Sequence, residues 1–314
     1  MVERRVSKTL ASLSLDLDNE WAYLKTRGDA AWKSYPSYLD VFVPTLLETL
    51  RRHGLTITVF VVGKDAGLEK NVPALRAISD AGHEIANHSF HHEPWIDLYS
   101  RRQVAHEIAE AEDRIEKATG QRPRGFRGPG FSLSRNVLET LIERGYLYDA
   151  TTLPTFIGPL ARAFYFAGNS LSAQQRELRK GLFGNLSDCL LPMRAYERRL
   201  NGGAIVEIPV TTMPFFKTPI HVSYLQYIAQ FSERMALAYF DLALRLCRLR
   251  GIAPSLLLHP LDFLSSEESP RLAFFPAMRR SRVSKLKLVD RILEEYRRHF
   301  DVVTMSRHAR AILN

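Results

Sequence analysis

The sequence of 314 residues has only two cysteines, Cys189 and Cys247, and they lie far apart along the chain. Both lie in apolar segments typical of buried positions, so the pattern favours two free thiols over a disulfide. The sequence also lacks any run that approaches the roughly 20 apolar residues needed to cross a bilayer. Basic residues at the N-terminus precede no apolar core, and Asp16 follows early, so we expect no secretory signal and a cytoplasmic location.

Acidic residues are outnumbered in this sequence. Its 43 Lys and Arg residues against 34 Asp and Glu give a net charge of +9 and a pI of about 9.6. This excess favours anionic partners, either a phosphorylated substrate or an anionic membrane surface. Nucleic acid is not an expected partner, because no nucleic-acid-binding motif accompanies the charge and arginine is scattered along the chain.

Apparent strands and helices alternate through most of the sequence. We predict strands over 10–18, 56–62, 84–87, 125–127, 146–150, 204–210, 255–258 and 302–305. Strands separated by helices pair in parallel through right-handed crossovers. About seven or eight such units predict one catalytic α/β domain over residues 1–314, an irregular (β/α)7-8 barrel with its site at the carboxyl ends of the strands.

Two stretches, about 153–203 and 265–287, interrupt this alternation. The first combines apolar residues, among them Phe156, Phe164, Tyr165 and Phe166, with Arg176, Arg179 and Lys180. The second ends in a basic cluster of Arg279, Arg280, Arg282, Lys285 and Lys287. We interpret both as elaborations of the single domain that contact an anionic membrane at its inner face, where each basic residue adds roughly 1 kcal/mol. The alternative is that the first stretch covers the barrel or forms a dimer contact, and the oligomeric state stays open.

Histidines and carboxylates concentrate at two points. His88 and His92 are four residues apart, so a helical turn would direct both imidazoles to one side, where they could bind one metal ion. Asp16 and Asp18 are two residues apart, which places both carboxylates on one face of an extended segment. Two histidines and one carboxylate leave coordination positions open for water and substrate, as a hydrolytic metal requires. Iron oxygenases use the same ligand set, but typically in a β-sandwich, which the alternating pattern argues against.

Six segments resemble, in order, the NodB-type polysaccharide deacetylases, also called carbohydrate esterase family 4. They are SLDLD (14–18), TVFVVG (58–63), GHEIANHSFHH (82–92), RGPG (127–130), EIPV (207–210) and LLLHP (256–260). The histidine-rich segment is the most specific, because it nearly matches the family's His-Ser/Thr-x-x-His signature. The resemblance implies a metal-dependent hydrolase that removes an N-acyl group, acetyl in the first place, from an amino sugar. Because no export is expected, we predict a lipid-linked or nucleotide-linked sugar as the substrate.

The resemblance also implies roles for individual residues. The metal ligands would be Asp18, His88 and His92, and the metal Zn²⁺, with Co²⁺, Ni²⁺ or Mn²⁺ as alternatives. Asp16 would be the general base, Arg127 would hold its carboxylate, and His259 would be the general acid. Substrate contacts would come from Trp21, Pro129, Gly130, Leu256 and Leu258, the two leucines surrounding the acyl methyl group.

The sequence departs from the family pattern at two places. Leu17 separates two aspartates that are usually adjacent, which leaves open whether Asp16 or Asp18 is the ligand. Asp149 is the first candidate for the aspartate that tunes His259, and Asp262 is the second. Trp21 serves equally well as a core residue.

Two other functions are compatible with the resemblance. The same fold covers enzymes that open cyclic ureides or cleave formamides, so the alternative substrate is a small non-sugar amide. A non-catalytic sugar-binding relative is disfavoured, because every candidate catalytic position carries a reactive side chain.

Overall fold

The computed structural model describes residues 8–167, 173–181, 184 and 186–314 of the chain. Within these residues, nine strands form one sheet. The strands are β1 Leu10–Asp16, β2 Thr58–Val61, β3 Glu84–Asn87, β4 Gly125–Phe126, β5 Tyr148–Asp149, β6 Tyr196–Leu200, β7 Gly203–Glu207, β8 Ser255–Leu258 and β9 Asp301–Val303. The pairings are parallel apart from the antiparallel β6–β7 hairpin.

Helices follow most strands and cover the outside of the sheet. They are α1 Glu20–Arg27, α2 Leu39–Arg52, α3 Gly63–Ala66, α4 Val72–Asp80, α5 Arg101–Thr119, α6 Arg135–Glu143, α7 Gly158–Ala167, α8 Ala173–Leu178, α9 Val222–Ile228, α10 Glu233–Leu249, α11 Arg282–His299 and α12 Met305–Leu313. Among the helices described, none combines the length and the apolar character that a bilayer-spanning helix needs.

The sheet curls into a barrel with strand order β6-β7-β5-β4-β3-β2-β1-β8, and β9 pairs with the start of β1. The gap between β7 and β8 is bridged beyond the end of β7. There, Thr211 N donates to Ser255 O at 3.1 Å, and Ser255 N donates to Thr211 Oγ1 at 2.7 Å. The predicted irregular (β/α)7-8 barrel is therefore confirmed.

Alternation along β1 separates an apolar layer from a polar interior. Leu13 and Leu15 are fully buried in the core between the sheet and the helices. Ser12, Ser14 and Asp16 point the other way, because successive side chains of a strand face opposite sides. The interior of the barrel therefore offers polar partners close to the strand end where Asp16 lies.

Helix α12 closes the opposite end of this interior. Met305 N donates to Thr58 Oγ1 at 2.8 Å, and the Met305 side chain is fully buried. His308 Nδ1 lies 2.9 Å from Ser12 Oγ, on the same inward side of β1. The barrel is thus filled from the amino ends of its strands, which leaves the carboxyl ends for the site.

The hairpin β6–β7 is the element that the sequence pattern did not predict. Its first strand falls in the 153–203 elaboration and alternates between exposed and half-buried residues. Asn201 and Gly202 form the two-residue connection, and Gly202 has φ of 101°. An Asn-Gly pair between two strands is a strong hairpin signal in a sequence, and here only Gly202 of the pair adopts positive φ. That dipeptide was the available clue.

The 153–203 elaboration packs partly against α1. Arg179 is buried, donates from Nε to Thr26 O at 3.1 Å and lies over the Trp95 ring at 4.8 Å. The side chains of Phe164, Tyr165 and Phe166 lie outside the described residues, as do residues 168–172, 182, 183 and 185 altogether. Cys189 and Cys247 are both free thiols, as expected.

The basic cluster of the 265–287 elaboration mostly serves the protein itself, contrary to the prediction that it faces a membrane. Lys285 is fully buried and donates from Nζ to the carbonyl oxygens of two residues that follow β8. Arg280 donates to Gln226 Oε1 at 2.5 Å, and Arg282 donates to Glu268 Oε1 at 3.2 Å. Only Arg279 and Lys287 of the five are exposed. Lys285 needs internal acceptors because its burial removes it from water, and the two half-buried arginines also donate to acceptors of the protein itself.

Candidate active site

The residues predicted to bind a metal or to take part in catalysis lie together at the carboxyl ends of the strands. Asp16 is the last residue of β1, His88 follows β3, Arg127 follows β4 and His259 follows β8. Since β8, β1, β2 and β3 are consecutive in the sheet, these side chains converge on one end of the barrel.

His88 and His92 lie on an irregular loop after β3, so the predicted helical turn is wrong. Ser89 and His92 have φ of 61° and 52°, in the left-handed region. Asn87 Oδ1 accepts a hydrogen bond from Ser89 N at 2.8 Å and holds the first bend. This strained backbone, rather than helical spacing, brings the two imidazole centroids to 5.0 Å.

Asp18 lies between the two imidazoles. Its Oδ1 is 2.8 Å from His92 Nε2 and 3.3 Å from His88 Nε2, and all three residues are buried. Burial raises the pKa of Asp18, but the adjacent His92 and His88 lower it by more, so the pKa lies well below its ordinary value. The carboxyl group is therefore an anion between two histidines.

The donor atoms of this group suit a divalent metal ion. His88 Nδ1 lies 2.7 Å from the carbonyl oxygen of Arg127, which can only accept, so Nδ1 holds a proton and Nε2 is the nitrogen that faces Asp18 and is available to a metal ion. Asp18 Oδ1 and His92 Nε2 are buried without a well-directed hydrogen bond among the described residues. Tetrahedral zinc ligands lie about 3.4 Å apart. The three residues Asp18, His88 and His92 form a group that could hold a metal.

A second group of potential ligands, Asp241, Glu295 and His299, lies between α10 and α11. Its carboxylates already face cations: Arg245 Nε is 2.8 Å from Asp241 Oδ2, and Arg298 Nη2 is 2.5 Å from Glu295 Oε1. These guanidinium groups already neutralise the two carboxylates, so little negative charge remains to attract a metal ion.

Asp16 is held by Arg127, as the resemblance implies. Arg127 is fully buried and donates from Nη1 to Asp16 Oδ1 at 2.6 Å and from Nε to Ala150 O at 2.8 Å. Asp16 Oδ2 then faces the site, 3.9 Å from both His88 Nε2 and His259 Nε2. Of the two aspartates, Asp18 is therefore the one in direct contact with both imidazoles.

His259 lies on the other side of Asp16. Its Nδ1 is 3.0 Å from Ser223 Oγ, and its backbone N donates to Asp262 Oδ2 at 2.8 Å. The side chain is 18% exposed, whereas that of Asp16 is 6% exposed. His259 thus stands between the buried carboxylate and the open side of the site.

Asp149, the first candidate for tuning His259, has other partners. It accepts a hydrogen bond from Thr151 Oγ1 at 2.6 Å and lies beside Glu207. Burial raises the pKa of Asp149 and, together with the charge of Asp149, holds that of Glu207 well above its ordinary value. The two carboxyl groups therefore share a proton, and Asp262 is the aspartate next to His259.

The Asp149 group supports the loop that contains Pro129 and Gly130. Thr151 Oγ1, which donates to Asp149, accepts a hydrogen bond from Gly128 N at 2.8 Å. In this loop Pro129 is buried and Gly130 is half-buried, with φ of 60°. Their predicted contacts with substrate stay predictions.

Trp21 belongs to the core, so its predicted sugar contact is wrong. The side chain is 1% exposed, and its indole Nε1 donates to Asp65 Oδ1 at 3.0 Å. A ring so enclosed has no free face on which a sugar could stack.

The prediction that Leu256 and Leu258 surround the acyl group is also contradicted. Both pack in the core between the sheet and the helices. Leu257 pairs with Ser14 across the parallel β8–β1 register, so its side chain points to the polar interior instead. The error is one residue, which reverses the face of a strand.

Two further residues at the site carried no sequence signal. Burial and, after it, the charge of Asp18 hold the pKa of Tyr23 well above its ordinary value, so this side chain is exposed to the negative charge of the site. The His221 ring lies 6.2 Å from that of His259, and burial and the charge of His259 lower the pKa of His221 to about 3. Both residues lie outside the six recognised segments, so only the fold brings them together.

Residues 29–148 match the family model described as polysaccharide deacetylase. The peptidoglycan-N-acetylmuramic acid deacetylase PdaA of Bacillus subtilis is 33% identical over 111 residues, which cover 35% of this chain and 41% of that protein. A chitooligosaccharide deacetylase of Sinorhizobium fredii is 34% identical over 132 residues, covering 39% of this chain and 60% of that protein. The matches therefore span only part of each relative.

Solved structures extend the likeness to the complete fold. A Mycobacterium smegmatis protein assigned to the polysaccharide deacetylases superposes with a TM-score of 0.64 at 22% identity, covering 99% of this chain and 92% of that one. The Puue allantoinase superposes with a TM-score of 0.56 at 17% identity, covering 97% and 90%. These likenesses establish the barrel.

Proposed function

We propose that this chain, whose residues 29–148 match the polysaccharide deacetylase model, is a metal-dependent hydrolase of that family with a single catalytic domain. Its substrate is an amino sugar, from which it removes an N-acyl group, most simply acetyl. The names of the deacetylase relatives, which specify peptidoglycan N-acetyl sugars and chitooligosaccharides, support this substrate class.

One observation carries the proposal. The group of Asp18, His88 and His92 lies next to a fixed carboxylate, Asp16, and Asp16 separates it from an imidazole, His259. A divalent ion bound by the first three residues, most simply Zn²⁺, would lower the pKa of a water molecule and polarise the amide carbonyl. A base and an acid on either side of one amide are what its hydrolysis requires.

Asp16 and His259 carry out the two proton transfers of the reaction. Asp16 accepts the proton of the attacking water on Oδ2, because Arg127 engages its Oδ1. His259 donates a proton from Nε2 to the departing amine nitrogen as the C–N bond breaks. The acyl group leaves as a carboxylic acid, and the amino sugar as a free amine.

The test is the release of acetate or formate from a panel of N-acyl amino sugars. Purified protein is assayed with added Zn²⁺ or Co²⁺, beside the Asp16→Asn variant, which preserves the volume of the side chain. We expect metal-dependent release that falls by about 10²- to 10⁴-fold in the variant. Release from a small amide or cyclic ureide, with no sugar turned over, would replace the amino sugar by the alternative substrate class.

We further propose that the sugar is linked to a lipid or a nucleotide, and that the protein acts in the cytoplasm with peripheral contact to the inner face of the membrane. The net charge of +9 supports an anionic substrate or surface. The 153–203 elaboration adds exposed apolar side chains: Leu160 is 70%, Leu186 63% and Leu190 84% exposed. Exposed leucines beside positive charge are typical of peripheral membrane contact.

Two measurements test the membrane contact and the group to which the sugar is linked. Co-sedimentation with vesicles that contain anionic lipid, compared with neutral vesicles and with high salt, tests the membrane contact. Turnover of lipid-linked and nucleotide-linked N-acetyl sugars then identifies the carrier. Binding that ignores both lipid charge and salt would contradict the electrostatic contact.

A further inference from the structure

We propose that Ser223, at the start of α9, is a positioning residue that connects the imidazole of His259 to the buried carboxyl group of Asp262. The inference rests on the proposed function, because it assigns to His259 the proton donated to the amine. It concerns a residue outside every recognised sequence segment.

The contacts form a chain of three side chains. His259 Nδ1 lies 3.0 Å from Ser223 Oγ. The Ser223 hydroxyl also lowers the pKa of Asp262 against the effect of burial, as a donor beside that carboxylate does. Asp262 accepts a hydrogen bond from the backbone N of His259 at 2.8 Å, so it is connected to the same histidine through the backbone as well. With 1% exposure, Asp262 has no access to solvent as an alternative partner.

Hydrogen bonds from α9 and α11 hold the turn that contains Asp262 in place. Gln226 Nε2, one turn along α9 from Ser223, donates to Asp262 O at 3.1 Å. The buried Lys285 donates from Nζ to Leu261 O at 2.7 Å and to Leu264 O at 2.5 Å, on either side of Asp262. The turn after β8 is therefore anchored to both α9 and α11, and Asp262 cannot move away from Ser223 without breaking these bonds.

The direction of the hydrogen bonds determines what Ser223 does. Asp262 is an acceptor, so the Ser223 hydroxyl donates to it and can accept only from His259 Nδ1–H. With Nδ1 engaged as a donor, Nε2 is the nitrogen directed to the site. When Nε2 gives its proton to the amine, the neutral Nδ1–H form that remains keeps both hydrogen bonds, so the imidazole does not have to reorient.

Other charged or titratable groups also face His259. Asp16 Oδ2 approaches Nε2 at 3.9 Å, and the His221 ring lies 6.2 Å away on the α9 side. Lys285 lies behind Asp262, and the charge of Asp262 extends to the Tyr23 hydroxyl. Ser223 differs from these groups because it touches Nδ1 itself, so its removal acts on the orientation of the ring.

The kinetic test compares Ser223→Ala with Ser223→Thr, which restores a hydroxyl, and with Ser79→Ala as a matched control. Ser79 is half-buried and donates one hydrogen bond to Thr119 O at 2.8 Å, on a helix that carries no site residue. We expect Ser223→Ala to lower kcat roughly ten- to a hundredfold with KM nearly unchanged, Ser223→Thr to recover most of the loss, and the control to match the wild type.

Asp262→Asn should move the alkaline limb of the pH–rate profile to lower pH, because a negative charge near the protonated imidazole is lost. Unchanged kcat and pH profile in Ser223→Ala would overturn the proposal.

A spectroscopic test keeps the inference separate from the proposed function. Nitrogen-15 NMR of histidine-labelled wild-type protein should show a protonated Nδ1 and an unprotonated Nε2 for neutral His259, assigned by the loss of its signals in His259→Gln. Ser223→Ala should convert this resonance pair to a mixture of tautomers, with the other histidines unaffected. Wild-type protein that shows the tautomer but releases no acid from any sugar would refute the proposed function alone. An unchanged tautomer in Ser223→Ala would refute the role of Ser223 alone.

Discussion

One hydrogen bond orients the first histidine of the site. Because His88 Nδ1 donates to the carbonyl of Arg127, the same arginine that holds Asp16 through its guanidinium also fixes the imidazole through its backbone. The proposed general base, Asp16, and the proposed metal ligand, His88, are therefore coupled through a single residue. A change at Arg127 should affect both.

Loss of His88 or Asp18 should abolish metal retention and turnover together. His88→Ala and Asp18→Ala each remove one of three converging ligands, and two remaining ligands hold zinc too weakly to survive dialysis. Metal content after dialysis and acid release from the best substrate measure the two effects. His91→Ala is the matched control, since His91 is exposed on the same loop and pairs with Glu107. Full activity in a variant without metal would contradict the proposed metal dependence.

The shared proton of Asp149 and Glu207 predicts a pH-dependent stability. The pKa of Glu207 lies well above its ordinary 4.5, so the folded state binds a proton that the unfolded chain releases. This contribution is fully present below pH 4.5 and is lost as the pH rises through the higher pKa of the folded state. Glu207→Gln, which stays neutral, should therefore lose less stability than the wild type as pH rises above about 4.5. The melting temperature of both proteins across this range is the measurement, and parallel curves would refute the shared proton.

At the scale of elements, the sequence predicted strands better than it predicted their connections. The predicted bounds of β3 and β8 agree with the structure to the residue. In β8 the continuous run of Leu256, Leu257 and Leu258 marks a strand buried on both faces. The loop that carries His88 and His92 was assigned a helical turn, since spacing alone does not distinguish a helix from a strained loop. Ser223, His221 and Tyr23 were not identified as site residues, because crossovers between distant strands bring them to the site.

Lys285 should matter more for stability than any exposed lysine of α11. Lys285→Met keeps the length of the side chain but leaves two buried carbonyl oxygens without their donor, which should cost about 2–4 kcal/mol of unfolding free energy. We also expect a lower kcat, since the turn that holds His259 and Asp262 loses its anchor. Urea denaturation and the acid-release assay measure the two effects. Lys287→Met, at an exposed position of the same helix, should behave as the wild type.

At the scale of the whole molecule, the segment that matches the polysaccharide deacetylase model contains only part of the sheet. Residues 29–148 contain β2 to β4 but neither β1 nor β8, and β1 is the strand between β2 and β8. Asp16 and Asp18 also lie outside this segment. The part of the chain that matches the family model therefore lacks both β1 and the two aspartates that lie close to the histidines.

A fragment of residues 29–148 should neither unfold cooperatively nor bind zinc, whereas we expect the full chain to do both. Without β1, the Leu13 and Leu15 surface is missing and the edge of β2 is exposed to solvent. Calorimetry and equilibrium dialysis of the fragment, beside the full chain, test this. A sharp thermal transition with heat capacity proportional to its length would show that the segment folds alone.

The packing of α12 into the barrel imposes an order on biosynthesis. Met305 lies within 3.7 Å of the Arg127 guanidinium, from Sδ to Nη2, and its backbone bonds to β2. The arginine that fixes the base therefore receives its last contact from a residue translated long after it. While the ribosome is still adding the intervening residues, Arg127 and Asp16 face an open, wet interior in which their attraction is screened. The nascent chain should thus remain inactive until Met305 has emerged, and assembly of the site marks the end of folding.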